Sequence, residues 1–311
     1  MSFGVTLTLV LLASYGLSSL LLCAVVGLCW RAGWLARLGR ADAVLGVRLL
    51  PAAGSALLVL TIVLPAFLLH EPPHAHDKPG ALLLSSAALA VLVLADGVRR
   101  GWRAWRAARA LMCSPQPLRV QTAGGADVSV LDVEEPLVAV VGGWRQRIVA
   151  AQCVAVACDG EEFRQVIAHE VAHRDAGDNL KWLALVAIPD VLAWMPTGKG
   201  LAAQWRAVTE LEADERASGA DPHKRVALAS ALIKVARLSL ATGRAHRVSR
   251  FSAQIGGLEQ RIRRLLAPPP GGRATFPGRQ VMTTALLVPL FAMPLYACIH
   301  RLIEVLVAFG R

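Results

Sequence analysis

Four long apolar runs punctuate the chain, at Val5–Trp30, Leu49–Leu69, Ala81–Ala95 with a short extension, and Val281–Ile299. A helix needs about 20 residues to cross a bilayer, so the pattern predicts about four transmembrane helices. The first run has no positive charge ahead of it and exceeds the apolar core of a signal peptide, so it is expected to stay as a span. Between the third and fourth runs the periodicity changes. Residues 117–151, "PLRVQTAGGADVSVLDVEEPLVAVVGGWRQRIVAA", hold short alternating or β-branched runs separated by glycine-rich and acidic breaks, which predict a sheet of three or four strands.

From Asp159 the pattern turns helical. Phe163, Val166, Ile167 and Val171 recur at helical spacing, and Asp159 with Glu162 forms the signature of a capping box. Residues 180–196, "LKWLALVAIPDVLAWMP", are apolar but short, with Asp190 after Pro189. A central carboxylate in lipid costs several kcal/mol, so a buried or interfacial helix is expected rather than another span. Further helices are expected over about Ala202–Ser218, 224–240 and 258–266, the last ending at a Pro/Gly linker. The predicted fold is mainly α: a polytopic membrane protein with three helices and a basic flank over 1–109, a cytoplasmic α+β body over 110–270, and a linker with a last transmembrane helix over 271–311.

Composition agrees. The 311 residues are 55% hydrophobic, more than one soluble core uses. A net charge of +11 and a pI near 10.1 raise the question of nucleic acid. However, Arg31, Arg37, Arg40 and Arg48 follow the first run and Arg99, Arg100, Arg103, Arg106 and Arg109 the third, whereas "HEPPHAHDKPG" between the second and third holds one Lys. The positive-inside rule makes the arginine-rich flanks cytoplasmic, the N-terminus external and the body internal, as in a bacterial inner membrane. No aromatic-basic motif points to direct nucleic-acid binding. The six cysteines form no CxxC pair; Cys113, Cys153 and Cys158 are expected reduced in the cytoplasm, with Cys23, Cys29 and Cys298 in spans, all structural thiols.

Residues 169–173 read HEVAH. On a helix, residues four apart stack on one face about 6 Å along the axis, so His169 and His173 can both turn an imidazole nitrogen to one Zn2+. Glu170 faces the same cleft and is placed to hold a water there as general base. Such a match arises by accident at roughly the one per cent level, so a third ligand is needed. Glu210, in "WRAVTELEADERASG", offers it from another helix. A His2Glu set leaves a fourth position open, the catalytic rather than the structural pattern. Asp214, one turn later, is expected behind a ligating histidine, fixing its tautomer. Without HEVAH, Glu210, Glu212, Asp214 and Glu215 would read as a solvated helix face.

HEVAH followed by "RDAGDN" and "ELEAD" resembles the gluzincin membrane metallopeptidases. The wider arrangement is similar to the BlaR/MecR-type antirepressor peptidases: "GGWRQRIV" precedes the helix, "KRVALASALIKVA" follows Glu210, "GLEQRIRRLL" precedes the last span, and three spans stand before the body. The resemblance implies a zinc endopeptidase with the metal on His169, His173 and Glu210, Glu170 as base and Asp214 in support. Its implied substrate is a cytoplasmic protein such as a transcriptional repressor. Two differences stand out. Members that sense beta-lactams carry an extracellular penicillin-binding domain after the last span, whereas this chain stops at Arg311, so direct antibiotic sensing is not expected. "RDAGDN" also lacks the basic run often found after the motif.

Other readings stay open: a quality-control metalloprotease of the membrane, or a non-catalytic transducer with a structural zinc. The oligomeric state is open too. The strand "RQRIVAA" is expected to pair with an extended substrate. Arg216, His223 and Arg225 are near Glu210 in sequence, but each reads as a surface charge. His70, His74, His76 and Asp77 read as a solvated external loop, Asp96 as a helix-end acid at the interface, and Trp102 and Trp105 as an interfacial amphipathic helix.

Overall fold

The computed structural model describes residues 2–70, 79–112, 118–123, 125–143, 145–241 and 248–267. It is mostly helical with one small sheet. Three helices are long and apolar enough to cross a membrane, spanning Phe3–Arg31, Ala41–Leu69 and Ala81–Arg109. They comprise α1 (Phe3–Arg31), α2 (Ala41–Leu58) running through a π turn into α3 (Leu64–His70), and α4 (Ala81–Met112). Small residues let these helices approach closely: a Cβ on Gly16 of α1 would stand 2.6 Å from the Ser86 carbonyl oxygen of α4. Leu21, Leu28, Leu60, Leu69 and Leu92 are exposed on the outside of the bundle, where lipid would cover them. The run 281–299 and the loop residues His74, His76 and Asp77 lie outside the described residues, as does the side chain of His70.

Two boundaries differ from the expected ones. Helix α2 starts at Ala41 rather than Leu49, so Arg48 lies inside it instead of on a cytoplasmic flank. A lone arginine would end an apolar helix, but Arg48 is ion-paired with Asp190, 142 residues away, and both side chains are buried. Helix α4 continues unbroken past the expected end to Met112, so Trp102 and Trp105 stand exposed on an extension of the third span rather than on a separate helix. Asp96 accepts from Arg99 at 2.5 Å, from Arg100 at 2.8 Å and from Trp194 Nε1 at 2.9 Å.

The sheet comprises β1 (Arg119–Ala123), β2 (Ala126–Leu131), β3 (Val138–Val141) and β4 (Arg147–Ala151) in the order β1-β2-β4-β3. Strands β2 and β4 pair in parallel, the other neighbours antiparallel. After α5 (Gln152–Ala157) comes α6 (Gly160–Ala176), which covers one face of the sheet. Val128, Ile148 and Ala150 pack there against Phe163, Val166 and Ile167. Then follow α7 (Asp178–Ala187), a 3-10 turn (Val191–Trp194), α8 (Pro196–Ser218), α9 (Pro222–Ala241) and α10 (Val248–Leu266). Among the described cysteines, Cys23, Cys29, Cys153 and Cys158 are free thiols.

Residues 180–196 do not form one helix. Helix α7 ends at Ala187, where Pro189 forces the preceding residue into extended backbone, and its 10 residues are too few to cross a bilayer. All three membrane helices grip this break. Tyr15 of α1 donates to the Pro189 carbonyl at 2.6 Å, and Arg100 of α4 donates to Val186 and Ile188 at 2.6 and 2.8 Å. Arg48 of α2 holds Asp190, whose other oxygen caps the 3-10 turn through the Ala193 N–H. The link between α1 and α2 is also tied to α8: Gln204 donates to the Leu35 and Leu38 carbonyls, and Glu212 accepts the Ala41 N–H at the start of α2. The membrane bundle therefore holds both the break that precedes α8 and α8 itself.

Candidate metal centre

Helix α6 is fixed at both ends. The Asp159 carboxylate accepts from the N–H groups of Glu161 and Glu162, and Glu162 returns a bond to the Asp159 N–H. At the other end Gly177 adopts φ 69°, a left-handed C-cap that an L side chain would strain. That turn starts α7 at once and brings Asp178 back beside His173.

His169 and His173 project from one face of α6 with their rings edge-on, centroids 4.6 Å apart. Their Nε2 atoms lie 3.0 Å from each other. Glu210, from α8, places Oε2 at 3.4 Å from His169 Nε2 and Oε1 at 3.6 Å from His173 Nε2. Donors around a tetrahedral zinc, each about 2.0–2.1 Å from the metal, are about 3.3 Å from one another. The three residues therefore fit a divalent ion in donor chemistry and in spacing.

Each imidazole has a carboxylate behind it. His173 Nδ1 bonds Asp178 Oδ2 at 2.8 Å. His169 Nδ1 lies 2.9 Å from Asp214 Oδ1, within ion-pair reach but off the line of a good N–H···O bond. With both Nδ1 atoms turned to carboxylates, both Nε2 atoms face the cleft, the orientation a shared metal needs. Asp214 in turn accepts two bonds from Arg261 of α10, Nε to Oδ2 and Nη2 to Oδ1, each 2.8 Å, while Arg261 Nη1 lies 2.8 Å from Glu210 Oε2.

These contacts set the charges. Burial disfavours charge on His169, yet Asp214 and Glu210 outweigh it and push the imidazole up to about 9. Burial would raise Glu210, but His169 and Arg261 hold its carboxyl down at about 2. Glu170 goes the other way: burial pushes its carboxyl above the usual range despite the neighbouring imidazoles. Its Oε2 accepts the Val140 N–H of β3 at 3.0 Å.

The centre opens into a cleft of about 640 Å3 lined by Val138, Ala139 and Val140 of β3 together with Val166, Leu228, Leu232, Val235, Trp182 and Arg206. Asn179 donates to the Val140 and Gly142 carbonyls at 2.9 Å each, fastening this strand. The strand-pairing expectation for "RQRIVAA" is overturned: β4 lies between β2 and β3, so both its edges are occupied. Among the described residues, the strand edge beside Glu170 that has no strand partner belongs to β3. Of the three basic residues near Glu210, Arg216 and His223 are exposed, whereas Arg225 is buried and not a surface charge. It donates to the Gly219, Arg264, Leu265 and Ala267 carbonyls, where it clamps the end of α10.

Asp178, Asn179 and Arg261 belong to the site although the sequence did not single them out. Asp178 sat in the "RDAGDN" run, and its signal was the glycine that reverses the chain before it. Arg261, 92 residues from His169, stands in the "GLEQRIRRLL" run, to which the sequence reading gave no role at the site. The chain matches no protein-family model, and comparison with curated proteins and with solved structures finds no match either.

Proposed function

We propose that the protein is a membrane-embedded zinc endopeptidase that cuts a cytoplasmic protein, a transcriptional repressor in the manner of the BlaR/MecR-type antirepressor peptidases. The observation that carries this reading is the convergence of His169, His173 and Glu210 beside Glu170, at the foot of a cleft bordered by an open strand edge. In the proposed layout the three membrane helices over 1–109 are joined by a fourth span within 271–311. The body over 110–270 then lies in the cytoplasm, with the N-terminus outside the inner membrane of a bacterial cell.

When bound by the three ligands, zinc supplies Lewis acidity toward a substrate carbonyl and toward water. The chain's own groups do the rest. Glu170 takes the proton of the attacking water and delivers it to the leaving amine. An extended peptide pairs with the outward backbone groups of β3 at Val138, which share an edge with Val140 because antiparallel bonding alternates along a strand. Asn179 keeps that edge in place, and Val166, Leu228 and Leu232 receive an apolar side chain of the substrate.

The test compares the proteomes of cells carrying wild type and Glu170→Gln. The expected result is a cytoplasmic fragment that forms only with wild type. Identical fragment patterns, with both proteins binding zinc, would remove the endopeptidase reading and favour a structural role for the metal.

A further inference from the structure

We propose that Arg261 is a positioning residue of the metal centre, a fork that locks Asp214 behind His169 and a prong that turns the Glu210 carboxylate toward the two imidazoles. This rests on the metal reading above and adds a residue on α10 to it. The side chain is 16% exposed and reaches the foot of the cleft. Nε and Nη2 hold the two oxygens of Asp214 side-on at 2.8 Å each, and Nη1 is left for Glu210 Oε2, also at 2.8 Å. One planar guanidinium thus spans a ligand and the carboxylate behind another ligand. Lysine cannot do this, since an ammonium is a point charge without a rigid fork.

A cation beside a dication would ordinarily oppose its binding. Here the charge of Arg261 is matched by Asp214, which is buried and shares both its oxygens with the guanidinium. The guanidinium still stands nearer the metal position than Asp214 does, with Nη2 3.5 Å from His169 Nε2, so Arg261→Gln removes an opposing charge together with the fork, whereas Arg261→Lys keeps the charge and isolates the loss of the fork. Without the guanidinium, Asp214 is a buried carboxylate with its main partner gone, and it ceases to fix His169. The position of α10 that this requires is secured independently by the buried Arg225, which donates to the Arg264, Leu265 and Ala267 carbonyls at the end of the helix.

Zinc affinity by chelator competition and the visible spectrum of the cobalt(II)-substituted full-length protein test the assignment, in wild type, Arg261→Gln, Arg261→Lys and Arg264→Gln. Both Arg261 variants should bind zinc about tenfold to a hundredfold more weakly and show altered cobalt bands, because both lose the fork. Arg264→Gln, which breaks an exposed pair on the same helix, should match wild type and so separates site geometry from loosening of α10. Unchanged affinity and bands in Arg261→Gln, or full recovery by Arg261→Lys, would overturn the positioning role while leaving the metal site standing. Failure of wild type to bind zinc or cobalt would remove the metal reading itself, and this inference with it.

Discussion

Arg48 and Asp190 form an ion pair with side-chain exposures of 2% and 0%, one partner inside a membrane helix and the other at the break between α7 and the 3-10 turn. Removing one partner of such a pair strands the other, whereas replacing both with apolar residues need not destabilise. Arg48→Met should therefore lower stability by about 3–5 kcal/mol, and Arg48→Met with Asp190→Leu should recover most of that loss. Unfolding in detergent micelles measures both; a double variant no better than the single would show that the pair is not sealed in this way.

Gly97 of α4 meets the same break. A Cβ there would stand 2.7 Å from the Ala187 carbonyl oxygen and 2.9 Å from Pro189 Cβ. Gly97→Val must push α4 and α7 apart, at about 1–3 kcal/mol of overpacking. A matching fall in stability is expected, and an unchanged melting temperature would place the two helices further apart than described.

Asp178 orients His173 through a 2.8 Å bond to Nδ1. Asp178→Asn keeps the shape but loses the charge, and should weaken zinc binding by about tenfold or more with little change in melting temperature. Chelator competition reads the first and calorimetry the second.

Glu162 carries a pH signature away from the metal. Burial raises its carboxyl, but Lys234 at 2.5 Å, Ser230 at 2.6 Å and the Asp159 N–H outweigh that and hold it below the usual range. A depressed carboxyl stabilises the fold above the unfolded value, about 4.3, and that contribution disappears as pH falls through the folded value. Wild type should lose stability over this acidic window more steeply than Glu162→Gln. Parallel melting-temperature profiles from pH 6 to about 3 would contradict the assignment.

What was legible in the sequence was local. The capping box at Asp159 and Glu162, the stacking of His169 on His173 and the helical setting of Glu210 all follow from periodicities of a few residues. The apolar runs likewise indicated the membrane helices, though they stopped short at Arg48 and at Arg99. Both errors have one cause: a charge marks the end of an apolar run unless its partner is known, and the partner of Arg48 is remote in the chain. Strand order was equally hidden, since "RQRIVAA" looks like an edge strand until the parallel pairing of β2 with β4 places it inside the sheet. The role of Arg261 and the pairing of Asp190 were hidden for the same reason, because each exists only where elements remote in the chain meet.

Metal analysis of the purified protein, wild type beside His173→Ala, decides whether His169, His173 and Glu210 hold an ion. About one zinc per chain is expected in wild type, with most of it lost in the variant and both proteins folded. Wild type devoid of any divalent ion, or equal metal in both proteins, would contradict that assignment.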